Sequence, residues 1–287
     1  MRRFLFLSLF LILSSLLLAA CTLPGDGEVT TTAPATTTAP VTTATPAEEF
    51  LYVEYTSGIS LSAYLGESKH LILPSEIGGR PVVMLEPGFL YQSNVESVYV
   101  PNSVRNIGRG AFLECRYLTR IRLGDALGRI QAAAFKNCTA LTEIEIPSCK
   151  YMEESAFENC TALTAVTLPQ NLTSWGESQF RGCTALTDVT FADGTENIAD
   201  SFLGNTSVKR ITVPATVTSL YSDFAAGCRS LEDITFLGNA PDLSGHLLGS
   251  PYVTDTPEDY TVTIYYPEDA EGWDTFAADE CYQLVPQ

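Results

Sequence analysis

The sequence predicts a right-handed solenoid that carries a parallel β-sheet along one face and a cap at each end. The main observation is a motif that recurs along most of the chain and contains a phenylalanine in every copy. The intervals are 22 or 23 residues, and the positions are Phe89, Phe112, Phe135, Phe157, Phe180, Phe202 and Phe224. A unit of this length cannot bury its apolar side alone, so consecutive units must stack on one another.

The first 20 residues, 1–20, are predicted to be a secretory signal peptide. Two arginines precede a mainly apolar run, which is too short to span a bilayer comfortably and ends in small residues. The Leu-Ala-Ala sequence before Cys21 resembles the lipobox of bacterial lipoproteins. That resemblance implies acylation of the Cys21 sulfur, which tethers a protein to a membrane without spanning it. An ordinary signal peptide followed by a chance cysteine is the alternative interpretation.

Composition and pattern divide the rest of the chain into four parts. Residues 21–47 are Cys21 and a segment rich in Thr, Pro and Ala, which is expected to be a disordered linker and resembles O-glycosylated stalks. Residues 48–74 are expected to form an N-terminal cap and an incomplete first repeat, residues 75–240 the repeats, and residues 241–287 a C-terminal cap. In that cap, residues 260–266 predict a strand, and residues 268–280 predict a short acidic helix that packs Trp273 and Phe276 against the last repeat.

Each repeat contains a segment with apolar residues at its first, fourth and sixth positions, and the last two alternate with polar residues as in a one-sided strand. These segments are residues 95–100, 118–123, 141–146, 163–168, 186–191, 208–213 and 231–236. They are expected to stack as one parallel sheet. Apolar residues before each phenylalanine predict a second row of short strands or turns. The Ala-Phe-x-x-Cys segment predicts a 3₁₀ turn or a short α-helix.

Cysteines occur at a fixed place in the repeat, three residues after the phenylalanine. They are Cys115, Cys138, Cys160 and Cys183. In the next copy Asn205 stands at this place, and Cys228 lies one residue late in the copy after that. Stacked side chains are about 5 Å apart, which exceeds the roughly 3.5–4.5 Å between the Cβ atoms of a disulfide. Reduced, buried thiols are therefore predicted, and Cys281, outside the repeats, is the candidate for a reactive or intermolecular thiol.

The chain is strongly acidic, with 34 Asp and Glu against 16 Lys and Arg and a formal net charge of −18. This balance argues against nucleic acid or an anionic lipid surface as the main partner. Residues 151–287 carry 21 acidic and 4 basic side chains, so the acidity is concentrated in the C-terminal half. No EF-hand or other calcium-binding spacing accompanies it, and we expect neither a metal nor a cofactor.

The repeat resembles the BspA-like family of bacterial leucine-rich repeats, whose approximate pattern is IPxxVxxIGxxAFxxCxxLxxIxLP. Residues 100–123 match this pattern almost throughout, and the match recurs in register over about residues 70–240. The resemblance implies a leucine-rich-repeat solenoid on a surface-anchored or secreted protein, and some members of the family are adhesins that bind host matrix proteins or other cells. The last two copies depart from the pattern, since Asn205 and Val208 replace the Cys and Leu of the repeat.

The solvent side of the main sheet is the candidate contact surface, because solenoid proteins often bind partners through such a face. The candidate residues are Tyr99, Arg120, Arg122, Glu143, Glu145, Asp188, Arg210 and Asp233. Neighbouring arginines and glutamates also predict cross-strand charge pairs. Such pairs would stabilise an ordinary hydrated surface, which is the alternative interpretation.

The favoured function is a monomeric, lipid-anchored binding or adhesion module on the extracellular face of a bacterial envelope, with a protein or glycan as its partner. A structural envelope protein without a host ligand is the alternative. A secreted enzyme resembling a glycoside hydrolase is a remote alternative. The two histidines, His70 and His246, lie in no zinc, triad or phosphate-binding motif, so we expect no catalytic residue.

Overall fold

The computed structural model describes residues 43–248, 261–276 and 282–287. In this part of the chain the backbone forms a parallel β-solenoid of about nine coils, as the repeat predicted. Each repeat coil has three sides, which are a strand of a main sheet, a short strand of a second sheet and a side of hydrogen-bonded turns. The helical content of the described residues is one 3₁₀ turn, Ala47–Glu49. None of these residues belongs to a helix that is long and apolar enough to cross a membrane.

The main sheet consists of a six-stranded part and a four-stranded part among the described residues. The strands of the six-stranded part are His70–Ile72, Ser97–Tyr99, Arg120–Arg122, Glu143–Glu145, Ala165–Thr167 and Asp188–Thr190. The strands of the four-stranded part are Arg210–Val213, Asp233–Phe236, Val262–Tyr266 and Tyr282–Pro286. Neighbouring strands are parallel and in register, so equivalent side chains form columns along the solenoid.

The second sheet also has two parts among the described residues. The first part contains Phe50–Tyr55, Gly58–Tyr64, Glu76–Ile77, Arg80–Leu85, Asn106–Ile107, Arg129–Ile130, Tyr151–Met152 and Ser174–Trp175. The other part contains Asn197–Ile198, Ser219–Tyr221 and Asp242–Ser244. The first two strands form an antiparallel hairpin at the N-terminal end, and the repeat strands pair in parallel. The predicted second row of short strands is confirmed.

The third side consists of turns, and the prediction of a 3₁₀ or α-helical segment there is wrong. Two residues in each coil, four positions apart, have positive φ, for example Gly110 at 58° and Glu114 at 59°. A right-handed helix cannot include left-handed residues at this spacing. The Phe112 N–H donates to Ala134 O in the next coil at 2.8 Å, whereas the Cys115 N–H donates within the coil to Phe112 O at 3.1 Å. The turns are therefore hydrogen-bonded both between coils and within them.

The ring stack in the core contains four of the seven repeat phenylalanines. Its members are Phe112, Phe135, Phe157 and Phe180. Successive ring centroids are 4.9, 5.0 and 5.4 Å apart, and the rings are within 6° of parallel. We call this place in the coil the phenylalanine slot. In other coils the phenylalanine slot is occupied by Leu90, Leu203 and Ala225. Their equivalence is shown by their N–H groups, which make the same hydrogen bond to the next coil.

The other three repeat phenylalanines, Phe89, Phe202 and Phe224, lie one residue earlier than the slot, so their predicted equivalence is wrong. The Leu203 N–H, for example, donates to Phe224 O at 2.9 Å, and the Phe180 N–H donates to Phe202 O at 3.0 Å. The residues with positive φ, such as Ser201 at 51°, set the register of each turn. Relative to these residues, each of the three phenylalanines stands at the position of Ala111, Ala134, Ala156 and Gln179 in the other coils.

The same shift corrects the position of the cysteines in the last two copies. Asn205 has a φ of 58° and is one of the left-handed turn residues, so it does not replace a buried cysteine. Thr206 stands in the cysteine position of that coil, and Cys228 is in register rather than one residue late. The evidence is the hydrogen bond from Cys228 Sγ to Leu203 O at 2.9 Å, which repeats the bond from Cys138 Sγ to Phe112 O.

Both sheets are interrupted between the same two coils, a boundary that we call the seam. It separates Ser174–Trp175 and Asp188–Thr190 from Asn197–Ile198 and Arg210–Val213. The predicted single main sheet is therefore wrong at this point. A cluster of aromatic rings lies at the seam, where Phe202 is 4.9 Å from Trp175 and 5.7 Å from Phe191. Trp175 stands where other coils have isoleucine, leucine or methionine, and Phe202 stands where several other coils have alanine.

The C-terminal part has the predicted strand but not the predicted helix. Val262–Tyr266 continues the main sheet, and residues 267–276 form turns and bends. Gly272 has a φ of 86°, which interrupts a right-handed helix. Trp273 is buried, stacks on Tyr266 at 4.7 Å and lies 4.9 Å from Phe236. Its Nε1–H donates to Gly238 O at 3.2 Å, so this side chain closes the apolar end of the last repeat.

Candidate binding surface

The main sheet carries all eight residues of the predicted contact surface, but on two separate parts. Tyr99, Arg120, Arg122, Glu143, Glu145 and Asp188 lie on the six-stranded part. Arg210 and Asp233 lie beyond the seam on the four-stranded part. Seven of the eight are exposed and Asp233 is half-buried, because side chains alternate between core and solvent along each strand. Ile121, between two exposed arginines, is only 2% exposed.

One of the two predicted charge pairs on the six-stranded part is present. Arg120 Nε lies 3.3 Å from Glu143 Oε1. Arg122 instead places its guanidinium carbon 5.7 Å from the centre of the Tyr99 ring. Within the described residues no ion pair of 4.0 Å or less joins Arg122 to Glu145. The Arg122 donors and the Glu145 carboxylate therefore face solvent with their hydrogen-bonding capacity available to a partner.

The arginine beyond the seam is in a different electrostatic state. Arg210 Nε lies 3.1 Å from Asp233 Oδ2, and Arg210 Nη2 lies 3.4 Å from Glu232 Oε2. Two carboxylates thus offset one guanidinium, in a half of the chain that is already acidic. An anionic partner would have to displace them, so the six-stranded part is the better candidate for contact with a ligand.

The repeat cysteines belong to the core and not to a reactive site. The structure describes six cysteines, all of them buried and none in a disulfide bond, which confirms the prediction of reduced thiols in the repeats. Five of them donate to a carbonyl in the preceding coil, as Cys160 Sγ does to Phe135 O at 3.2 Å. Burial raises the pKa of the Cys149 thiol to about 11 and also raises the pKa of Cys160, so both thiols stay protonated at neutral pH. Cys21 and Cys281 lie outside the described residues.

Ion pairs on the turn side connect neighbouring coils. Lys136 Nζ lies 2.7 Å from Glu158 Oε2. Burial pushes the pKa of the Glu158 carboxyl upward, but hydrogen bonds from Lys136 and Ser155 and the charges of Lys136 and Arg181 lower the pKa overall. At the N-terminal end, the hydrogen bond from Lys69 lowers the pKa of the half-buried Glu96. Such contacts are repeated between coils and stabilise their stacking.

The described residues place no metal-binding constellation on any side of the solenoid. Across these ranges no group of three or more His, Cys, Asp or Glu side chains is arranged to hold a metal ion. His70 is exposed on the first strand of the main sheet, with Nδ1 2.9 Å from Ser97 Oγ. This contact is a surface hydrogen bond between neighbouring strands.

A second surface feature, which the sequence prediction missed, is a groove on the second sheet. It has a volume of about 450 Å³ and is lined by Arg105, Asn106, Ala126, Gly128, Arg129, Gln131, Lys150 and Tyr151. Gly128 lies between Arg105 and Lys150 at the same position in consecutive coils, as shown by the hydrogen bonds from Gly128 N–H to Arg105 O and from Lys150 N–H to Gly128 O. We call this feature the Gly128 groove. The order Arg, Gly, Lys at this repeat position is the sequence signal that identifies it.

A match to a known repeat identifies the family. The model of the BspA type leucine-rich repeat region matches residues 84–202 and 150–248, with six copies, and these segments together cover more than half of the chain. The chain belongs to the BspA-type leucine-rich repeat family. The resemblance that the sequence motif carried is therefore confirmed. No curated protein matches the chain.

Solved structures of leucine-rich repeat proteins share this BspA-type fold. One is a leucine-rich repeat protein of T. pallidum, which is 32% identical, has a TM-score of 0.59, and matches over 66% of this chain and 91% of its own. Another is a leucine-rich cell surface protein of Faecalibacterium prausnitzii, which is 26% identical, has a TM-score of 0.61, and matches over 68% of this chain and 54% of its own. The second of these relatives is described as a cell surface protein.

Proposed function

We propose that this BspA-type protein is a lipid-anchored module of the bacterial surface that binds an extracellular protein or glycan through the six-stranded part of its main sheet. The observation that carries the proposal is the exposed cluster of Tyr99, Arg122 and Glu145 on adjacent, in-register strands. Family membership and the cell-surface relative support the location. The Leu-Ala-Ala sequence before Cys21 supports acylation of that cysteine.

The chemistry of this cluster suits recognition. Tyrosine and arginine are enriched among the residues that dominate binding energy, since each combines a large contact area with directional hydrogen bonding. Arg122 is held over the Tyr99 ring rather than in an ion pair, so a partner can accept its hydrogen bonds without displacing a carboxylate. The parallel strands below fix both backbones, which limits the entropy lost on binding.

The size of the face restricts the kind of complex. Six strands at about 4.8 Å spacing span roughly 24 Å, and three residues at about 3.3 Å each span roughly 10 Å. The resulting footprint of about 240 Å² is well below the roughly 800 Å² that each side of a standard protein interface buries. A protein partner must therefore also contact the loops beside the sheet, whereas a glycan chain fits the face itself. Many copies on one cell surface compensate for weak single contacts.

The binding test uses immobilised purified protein against panels of extracellular matrix proteins, glycans and partner bacterial cells. The double variant Tyr99→Ala/Arg122→Glu should abolish capture of the partner that the unmodified protein retains. The matched control is Tyr221→Ala/Arg109→Glu, which changes an exposed tyrosine and an exposed arginine on the other two sides of the coil and should retain capture. No capture from any panel would favour a structural envelope protein, and equal losses in both double variants would reject the main-sheet face.

Anchoring has a separate test. A clickable fatty acid supplied to cells should label the unmodified chain but not a Cys21→Ser variant, and the variant should partition into the aqueous phase after detergent extraction. Labelling that persists in Cys21→Ser would place the acyl group elsewhere. Absence of label from the unmodified chain would reject lipid anchoring while leaving the binding proposal intact.

A further inference from the structure

We infer that the Gly128 groove on the second sheet is a binding site for a short anionic saccharide, a sugar that bears sulfate or carboxylate groups. The groove lies on a different side of the coil from the main-sheet face, so the inference is independent of the proposed function. Its volume of about 450 Å³ falls within the roughly 300–1,000 Å³ typical of small-ligand sites. A ligand of one or two sugar rings, rather than a protein surface, matches this size.

The charge of the groove is positive although the chain is acidic. Three of its eight lining residues are Arg105, Arg129 and Lys150, and none of the eight is acidic. In the part of the chain that the structure describes, neither Arg105 nor Lys150 has a carboxylate within 4.0 Å. Arg129 has one, Glu153 Oε1, at 3.3 Å. Two cations thus remain without a charge partner in a protein with a net charge of −18, and both side chains line the groove.

Gly128 creates the space between these cations, and the fold does not require glycine there. A Cβ at Gly128 would have Arg105 O as its nearest neighbour at 3.5 Å, an ordinary contact. By contrast, a Cβ at Gly108 would lie 2.6 Å from Leu85 O, and one at Gly124 would lie 2.7 Å from Pro101 O. Those two glycines are needed for backbone packing. Gly128 instead leaves a slot, flanked by cations one coil away on each side, at about 4.8 Å per coil.

The neutral lining residues favour a saccharide over an acidic peptide. Asn106 and Gln131 carry amide groups with both donors and acceptors, which match the paired donor and acceptor character of sugar hydroxyls. Gln131 Oε1 already accepts the Arg109 N–H at 3.0 Å, so its NH₂ group is oriented by that bond. The Tyr151 ring, 39% exposed and 5.0 Å from the Arg129 guanidinium carbon, supplies an apolar surface for a sugar ring beside a cation.

The anionic groups of the ligand would form ion pairs with the two cations. Arg105 can bind a sulfate or carboxylate through two parallel N–H donors, and Lys150 contributes a point charge on the opposite side of the slot. These residues are two coils apart, or roughly 10 Å along the solenoid. A disaccharide with one anionic group on each ring can reach both cations at once, whereas a single inorganic ion can reach only one.

Titration calorimetry on the purified full chain at 150 mM salt tests the assignment with five probes. They are a sulfated uronate disaccharide, its desulfated uronate form, a neutral disaccharide, inorganic sulfate and a hexaglutamate peptide. Saturable binding of the sulfated uronate disaccharide, at least about tenfold tighter than that of its desulfated form, the neutral disaccharide, sulfate or the peptide, supports a site in which two anionic groups bind the two cations. Equal binding of the neutral disaccharide, or tighter binding of the peptide, would overturn the saccharide assignment.

Variants locate the binding. Arg105→Glu and Lys150→Glu should each weaken the disaccharide about tenfold or more, whereas Lys209→Glu, the same charge change beyond the seam, should leave affinity within about twofold. Gly128→Leu fills the slot without changing the charge and should also weaken binding about tenfold. The control is Thr218→Leu, which introduces the same side chain at the same repeat position beyond the seam and should leave binding unchanged. Circular dichroism checks that each variant is folded. Equal losses in Lys150→Glu and Lys209→Glu, or full affinity in Gly128→Leu, would refute the groove.

Discussion

The phenylalanine stack offers a quantitative test of how the coils are held together. Phe135 is fully buried between Phe112 at 4.9 Å and Phe157 at 5.0 Å. Replacing a buried phenylalanine by alanine costs about 3–5 kcal/mol, because apolar contact is lost and a cavity remains. Each aromatic pair adds about 0.5–1.5 kcal/mol beyond its buried area. We therefore expect Phe135→Ala to reduce the free energy of unfolding by about 4–5 kcal/mol.

Phe135→Leu separates the ring contribution from the volume. Leu90 and Leu203 occupy the same slot in other coils, so leucine fits the backbone there. The leucine variant loses both ring pairs but keeps most of the apolar volume, and we expect a cost of about 1–3 kcal/mol. Urea unfolding followed by circular dichroism measures both variants against the unmodified chain. A cost below about 1 kcal/mol for Phe135→Ala, or equal costs for the two variants, would refute the stack as a stabilising element.

Three further predictions follow from the other contacts. In thiol titration the buried cysteines, such as Cys160, should react only after denaturation, and their detection as oxidised pairs would contradict the thiol-to-carbonyl bonds. Glu158→Gln should lower the melting temperature at pH 7, by a loss of about 1 kcal/mol, and should lower it progressively less as the pH falls below about 4.5, because the stability that a lowered carboxyl pKa contributes is lost as the carboxyl is protonated; an unchanged effect down to pH 3 would contradict the ion pair. The amide hydrogens of Asn197 and Ala199 at the seam should exchange faster than those of Arg129 and Gln131, which stand at the same repeat positions and donate to Arg105 O and Ile107 O in the preceding coil; equal protection would disprove the interruption of the second sheet.

The sequence was sufficient for the architecture because periodicity directly reflects stacking. The alternation of apolar and polar residues around Ile121 predicted which side chains of a strand face solvent. The spacing of the cysteines predicted buried thiols. Periodicity alone could not assign Phe202 to its slot. The distance between Phe180 and Phe202 along the chain is 22 residues, which is also a normal repeat length. The positive φ values at Ser201 and Asn205, together with the hydrogen bond from Leu203 N–H to Phe224 O, show that the ring stands one residue earlier in its coil.

The seam escaped prediction for a related reason. Trp175 and Phe191 each satisfy the apolar requirement of their repeat position, so a pattern of apolar and polar residues treats them as equivalent to isoleucine and leucine. Their volumes matter only when both meet Phe202 in one layer, at 4.9 and 5.7 Å. Packing in a core depends on the sum of neighbouring volumes, and a change of one methylene group already has an effect. The layer in which these three rings meet coincides with the interruption of both sheets.

The candidate surface was predictable in position but not in electrostatic state. Arg122 and Arg210 are both outward-facing arginines on strands of the main sheet, and the alternation of apolar and polar residues does not distinguish them. The structure separates them by partner, since Arg122 lies over Tyr99 and Arg210 is bound by two carboxylates. Rotamer choice among nearby partners decides this difference. Because among the described residues Arg122 has no carboxylate partner and Arg210 has two, we propose the contact on the six-stranded part of the sheet.

The placement of charge along the solenoid explains how a chain of net charge −18 can attract an anion at the Gly128 groove. Residues 21–150 carry 10 basic and 13 acidic side chains, and the acidic excess lies mostly after residue 150. Glu196 occupies the repeat position of Gly128 just beyond the seam, two coils after Lys150 and thus about 10 Å from it. At physiological ionic strength the Debye length is about 8 Å, so the acidic coils beyond the seam are largely screened from the groove. At lower salt, the repulsion by these acidic coils and the attraction by Arg105 and Lys150 both reach further. Because the two effects oppose each other, the affinity for an anionic sugar should depend less on salt than it would for two unpaired cations without the acidic coils.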